Sequence, residues 1–186
     1  MPGGGGMTFD LEKCVEVLQC TPGVLESLLG GLSDDWTRHN EGGDTWSPYD
    51  VVGHLIHGER TDWMARLEII LGDGPNKRFA TFDRLAQFEE SRGRTLADLL
   101  REFRDARTAN LARLRALELQ PADFDRTGIH PRFGAVTLRQ LLSTWTVHDL
   151  DHLMQIARVM AKQIGAETGP WVEYMRIIRD PVAEPR

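Results

Sequence analysis

Six histidines stand in this chain of 186 residues: His39, His54, His57, His130, His148 and His152. Imidazole is the side chain best suited to acid–base or metal chemistry near neutral pH. His148 and His152 are spaced i,i+4 in a strongly helical stretch, about 40° apart around the axis, so both can address one ion. Leu141, Trp145, His148, His152, Gln155 and Val159 share one helical stripe. That stripe is apolar at its ends and polar in the middle, so the histidines face inward. His54 lies on a different predicted helix, with His57 one turn on. Val51, His54, Gly58, Thr61 and Ala65 share a face there, and the small residues after His54 leave room for a ligand. Buried imidazoles without partners are costly, and a metal relieves that cost. Three imidazoles plus water suit Zn²⁺, Ni²⁺, Cu²⁺ or Fe²⁺. An i,i+4 pair is equally compatible with two solvated or hydrogen-bonded histidines, and spacing alone does not bring His54 to the pair.

The remaining polar residues compete weakly. No Ser-His-Asp constellation, Gly-rich phosphate loop or cysteine nucleophile is visible. Gln155, one turn past His152, either hydrogen-bonds a histidine or packs as a polar group. Asp149 and Asp151 turn away from the histidine stripe by roughly 60° to 100° and read as solvated or paired with arginines. Asp50 reads as a carboxylate favoured by a helix N-terminus. Trp46 and Trp145 read as core, the arginines 101, 104, 107, 113 and 115 as a solvated face, and His39 and His130 as loop residues. Cys14 and Cys20 fall on roughly opposite sides of a helix, too far round to be bridged. They read as reduced, small buried hydrophobes in a cytoplasmic protein.

Four long helical patterns must position these groups. The first runs from about Phe9 to Leu32, with Thr21-Pro22-Gly23 expected to kink or break it. Ser33 to Asp44 reads as a loop. Ser47-Pro48 opens the second helix as N-cap and first helical residue, and the pattern continues to Leu71, stopped by Gly72-Asp73-Gly74-Pro75. A long connection, Asn76 to Arg94, carries Phe79, Phe82, Leu85 and Phe88. Thr95 caps the third helix, with Asp98 in a capping-box position. After a loop from Ala122 to Val136, Thr137 caps the fourth helix, which reaches Ile164. A short helix starts near Pro170 and ends at Asp180-Pro181. No strand pattern of useful length and no repeat is evident. The expected fold is all-α: a four-helix bundle with a short C-terminal helix, not necessarily connected up-down-up-down. Residues 1–8 read as a flexible leader and 9–186 as a single domain.

Composition agrees. The chain is 41% hydrophobic and 27% charged, with a net charge of −6, which fits a soluble globular protein with a real core and argues against a nucleic-acid-coating surface. No apolar run is long enough to cross a membrane. A small-molecule substrate is the expected partner, and a homodimer is left open.

Two segments resemble the DinB-like (DinB/YfiT-type) superfamily of bacterial four-helix bundles. One is Trp46-Ser47-Pro48-Tyr49-Asp50-Val51-Val52-Gly53-His54-Leu55, with a Trp-Ser helix start and a histidine eight residues after the tryptophan. The other runs from Gly128-Ile129-His130-Pro131-Arg132-Phe133-Gly134-Ala135-Val136-Thr137-Leu138 into His148-Asp149-Leu150-Asp151-His152, followed by Gln155. The likeness spans about Leu11 to Ile164. It implies a divalent metal, zinc or nickel, held by His54, His148 and His152. From the helix faces, Gln155, His57, Gly58, Thr61 and Trp145 are expected around those ligands or lining a pocket. It also implies thiol chemistry: joining a low-molecular-weight thiol co-substrate to an electrophile, as a thiol S-transferase does. Hydrolysis by an activated water is the competing reaction, and a non-catalytic, stress-related metal-binding module is the alternative outside enzymology. Two expectations follow: substrate access beside Gly58 and Thr61, and metal loss below roughly pH 6, because free histidine titrates near 6.5.

Overall fold

A computed structural model describes residues 8–179. Nearly all of the expected leader, and the expected stop at Asp180-Pro181, lie outside the described residues. Four helical units form the bundle: α1 (Leu11–Leu29), the bent pair α3 (Pro48–Thr61) and α4 (Trp63–Leu71), α6 (Leu96–Ala116) and α7 (Leu138–Gln163). Short helices α2 (Asp34–Arg38) and α5 (Ala86–Glu90) lie in the two early connections, and α8 (Arg176–Arg179) follows a 3-10 segment, Gly165–Tyr174. Both α1 and α3 pack against α6 and α7, so α1 and α3 face each other across the diagonal. Successive helices are therefore not simply neighbours. No described helix is long and apolar enough to cross a membrane.

The helix starts follow local chemistry. Ser47 and Asp50 form a reciprocal capping box on α3, which accounts for Asp50. Thr137 and Gln140 do the same for α7, and Thr95 caps α6 through the Asp98 amide.

Several expectations are corrected. Ser33 to Asp44 is not all loop but holds α2, and the short C-terminal helix begins at Arg176 rather than near Pro170, after the 3-10 segment. Pro22 does not break α1, which is one helix. Proline cannot donate to the carbonyl of Leu18, four residues back. That carbonyl instead accepts from Arg107 Nη1 at 2.8 Å. The second helix is not continuous to Leu71: it bends at Asp62 (φ −113°, ψ −71°), and Trp63 folds back over Gly58. The stretch from Ala122 to Val136 is not a plain loop. It holds a 3-10 turn (Pro121–Asp125) and an antiparallel hairpin, β1 (Thr127–His130) with β2 (Gly134–Thr137), in register Gly128↔Val136. Strands of four residues are too short to announce themselves by alternation. His130 organises the hairpin tip, its Nδ1 accepting from the amides of Arg132 (3.1 Å) and Phe133 (3.3 Å).

The core is divided. One apolar cluster gathers Val15, Leu18, Trp63, Leu67, Ile70, Leu111, Leu114, Leu141 and Trp145. The other gathers Leu25, Leu29, Val52, Leu55, Leu99, Phe103 and Ile156. On α3, α6 and α7 a polar stretch lies between the two, and with the Leu18 carbonyl of α1 those stretches form one layer across the bundle. In it Arg107 donates to Glu59 Oε1 through Nε (3.0 Å) and Nη2 (2.8 Å), and to Asp149 through Nη1 (2.6 Å) and Nη2 (3.0 Å). Asn110 Nδ2 and Trp145 Nε1 also donate to the Glu59 carboxylate, at 2.9 and 3.0 Å. Arg107 is thus buried, not solvated, and Asp149 takes the second of its expected roles as the partner of an arginine: their side chains are 1% and 0% exposed. Burial alone would lower the Arg107 pKa, but the bonds to Asp149 and Glu59 outweigh it and hold the group above its usual value. The cysteines are free, with Cys14 half-buried and Cys20 exposed rather than buried.

Candidate metal centre

The layer that carries Arg107 also carries the histidines. His54 comes from the middle of α3, and His148 and His152 from successive turns of α7. His148 Nε2 stands 3.1 Å from His54 Nε2 and 3.1 Å from His152 Nε2. The ring centroids are 5.2, 4.8 and 4.3 Å apart. His54 and His152 are buried and His148 is half-buried.

Whether these groups fit a metal can be judged from their own hydrogen bonds. His152 Nδ1 donates to Gln155 Oε1 at 2.8 Å, so His152 Nε2 carries a lone pair in the neutral ring. Gln155 therefore orients a ring of the cluster. His148 Nε2 faces two ring nitrogens and can donate a proton to only one of them. The Nδ1 atoms of His54 and His148 are buried without a partner. Three converging nitrogens with too few protons among them form a donor set that suits a cation. Bonds of ~2.1 Å in tetrahedral directions would put the nitrogens ~3.4 Å apart, close to the spacing found. Among the described residues the group has three protein members, all histidine.

Electrostatics keep the rings neutral. Burial lowers the His54 pKa to about 3, helped by His152, Arg84 and His57. Burial likewise lowers His148 to about 2, with His152, His54, Arg107 and Arg84 adding to it. His152 is pushed down by burial and partly held up by Gln155 and by Asp151 and Asp149. Neutral imidazole is the ligating form.

Aromatic rings wall the cluster. Trp46 lies 4.7 Å from the His54 ring and stacks on His152 at 6.3 Å. It is buried, as a core residue should be, but it is also a wall of the site. Trp63 sets its ring 5.1 Å from His148 and stacks on Trp145 at 5.7 Å. Trp145 is core, one step removed from the histidines. His57 is buried too. Its Nδ1 donates to Glu90 Oε1 at 3.0 Å, and it stays outside the three-membered group.

The expected access beside Gly58 and Thr61 is not there. Gly58 is buried, and a Cβ built on it would stand 3.2 Å from Trp63 Nε1. The missing side chain makes room for tryptophan, not for substrate. Thr61 is exposed and donates its hydroxyl to the His57 carbonyl at 2.8 Å. Sequence alone put Arg107 on a solvated face and gave no site role to Asn110, Glu59, Glu90, Phe82 or Arg84. Arg107 and Asn110 were readable: they fill the gap in the buried α6 stripe between Phe103 and Leu111. Glu90, Phe82 and Arg84 lie in or beside an irregular connection, where periodicity carries no signal.

Comparison with known proteins agrees with this geometry. A search of curated proteins finds no match. Among solved structures, YfiT from Bacillus subtilis is similar, at 19% identity and a TM-score of 0.71, covering 89% of this chain and 93% of that one. It is described as a probable metal-dependent hydrolase with an unusual four-helix bundle topology, and the likeness shows the shared fold. The family model described as DinB superfamily matches residues 18–156, a span that includes all three clustered histidines. The chain belongs to the DinB superfamily.

Proposed function

We propose that this protein is a metal-dependent enzyme that holds a divalent ion, zinc or nickel, through His54, His148 and His152 and acts on a small molecule by activating a thiol or a water. The observation that carries this reading is the convergence of three Nε2 atoms with no fourth His, Cys, Asp or Glu among them in the described residues. Structural zinc sites take four protein ligands, whereas three leave a position for a reactant. The ion would supply undiminished positive charge, because neutral ligands cancel none of it, and this favours the anion of a thiol or water.

The chain's own residues divide the rest of the work. Gln155 fixes the His152 ring with Nε2 toward the centre. Trp46 and Trp63 exclude water from two sides. Two carboxylates, Glu59 and Asp149, share one guanidinium beneath the cluster, and the excess negative charge favours a cation above them. His57, with its Nδ1–H committed to Glu90, keeps Nε2 as a proton acceptor one turn from His54. Thiol transfer is the first reading, from the resemblance of the histidine segments to DinB-like members. Hydrolysis is the second, favoured by the structural likeness to YfiT.

Metal analysis of the purified protein, then turnover of a generic electrophile with and without low-molecular-weight thiols, tests the proposal. About one ion per chain and thiol-dependent turnover are expected. His148→Ala should lose both, and His57→Gln should keep the ion and lose turnover. Turnover no faster than with free metal would leave a non-catalytic metal-binding bundle.

A further inference from the structure

The rim of the histidine cluster carries an unpaired cation. Arg84 lies on the connection between α4 and α5, exposed to solvent. Its guanidinium carbon stands 5.9 Å from the Trp46 ring centroid, over the tryptophan that packs on His54 and His152. Phe82, two residues earlier, sets its ring 5.4 Å from His54 and 5.0 Å from His57. Phe88 meets Trp46 edge-on at 6.4 Å. The segment from 82 to 88 thus brings two aromatic rings and one guanidinium to the site.

Four arginines around this region are neutralised. Arg60 pairs with Glu90 and Glu102, Arg66 with Asp62, Arg92 with Glu89, and Arg94 with Glu102. Arg84 makes no hydrogen bond or ion pair among the described residues. Its positive charge stands over the ring that packs on His54 and His152, so it would oppose a divalent ion held there unless an anion lay with it. A guanidinium over the tryptophan and a metal ion held by the histidines packed on that same ring would both be satisfied by an anion that reaches the two, and guanidinium binds carboxylates in a two-pronged fork.

We infer that Arg84 binds the carboxylate of the molecule that occupies the histidine site, so that the substrate class is a small organic acid whose apolar body packs on Trp46 and Phe82. The inference rests on the metal-site reading above. The carboxylate can belong to the thiol co-substrate or to its reaction partner.

Calorimetric titration of the zinc-loaded protein separates these sources with two pairs of probes: 3-mercaptopropionate against 3-mercaptopropionamide, and benzoate against benzamide without thiol. In at least one pair the acid should bind tenfold or more tighter than the amide. Arg84→Gln should weaken that acid between about tenfold and a hundredfold and leave the amide within about twofold. Arg84→Lys should retain part of the preference. Discrimination in the thiol pair assigns the carboxylate to the co-substrate; discrimination in the benzoate pair alone assigns it to the partner. Equal binding of acid and amide in both pairs, or an unchanged ratio in Arg84→Gln, overturns the inference. Zinc content is measured in parallel. If the wild-type protein holds no zinc, the metal-site reading falls on that readout, and the same pairs on the metal-free protein decide Arg84 by the same ratios.

Discussion

At the scale of single residues, the histidine cluster is held by burial as much as by spacing. Burial lowers His54 to about 3 and His148 to about 2, so both stay neutral in the fold where free histidine would titrate near 6.5. The sign of the pH dependence follows. Between the folded and unfolded pKa values the unfolded chain binds more protons, so stability rises with pH there. Metal-free protein should therefore have its full histidine contribution above about pH 6.5 and lose it progressively toward about pH 3. Urea midpoints measured across that window should fall with acidification; a midpoint flat from pH 7 to 4 would contradict the burial argument. The same shifts revise the expected metal loss below pH 6. In the folded protein protons compete for the ligands only well below that value, so metal content after dialysis at pH 5.5 should match that at pH 7. The i,i+4 pair and its inward direction were visible in the sequence; for Gln155 the sequence left two readings, and the bond to His152 decides between them. The meeting with His54 was not, because a contact between α3 and α7 is a tertiary fact, and only the family resemblance anticipated it.

At the scale of elements, glycines and buried polar residues decide where the helices lie. A Cβ on Gly53 would stand 2.5 Å from Ser91 Oγ, so a bare backbone lets α5 lie on α3 and bring Glu90 to His57. Gly58 does the same for Trp63, which reaches Trp145 and His148 by turning back at Asp62. Gly58→Leu should therefore act as overpacking, costing about 1–3 kcal/mol and disturbing Trp63 fluorescence, rather than as a plug in an open channel. Unchanged stability with lost turnover would restore the channel. Arg107→Ala should cost about 3–5 kcal/mol, because it leaves Glu59 and Asp149 buried without their counter-charge; chemical denaturation measures it. Caps and helix lengths were legible because Ser47, Thr95 and Thr137 act locally. The bend at Asp62 and the intact α1 were not. Trp63 packing against α3 outweighs the continuous helical pattern, and the consequence of Pro22 depends on an arginine 85 positions away along the chain. That arginine sat on the buried stripe all along, but its charge spoke for solvent until the two carboxylates facing it were known.

At the scale of the whole molecule, a polar layer runs between two apolar clusters, and the candidate metal centre is part of that layer rather than a graft on the surface. Each cluster draws on all four helical units of the bundle. Neither needs an ion to assemble, since Arg107, Glu59, Asp149, Asn110 and Trp145 already satisfy one another across the layer. The three histidine nitrogens are left facing one another. Removing a bound ion should therefore leave the fold and lower its stability. With free metal at about a hundred times the dissociation constant, binding adds about 2.7 kcal/mol. For a chain of this size that corresponds to roughly 5–10 °C in Tm. Circular dichroism of chelated protein should retain the full helical signal at 25 °C and melt lower by that amount, and restoring Zn²⁺ or Ni²⁺ should recover the higher Tm. His148→Ala should melt at the same temperature with or without metal. Loss of helicity on chelation would mean that the ion organises the layer, with Arg107 and its partners secondary to it. An unchanged Tm would mean that the three nitrogens hold no ion under those conditions.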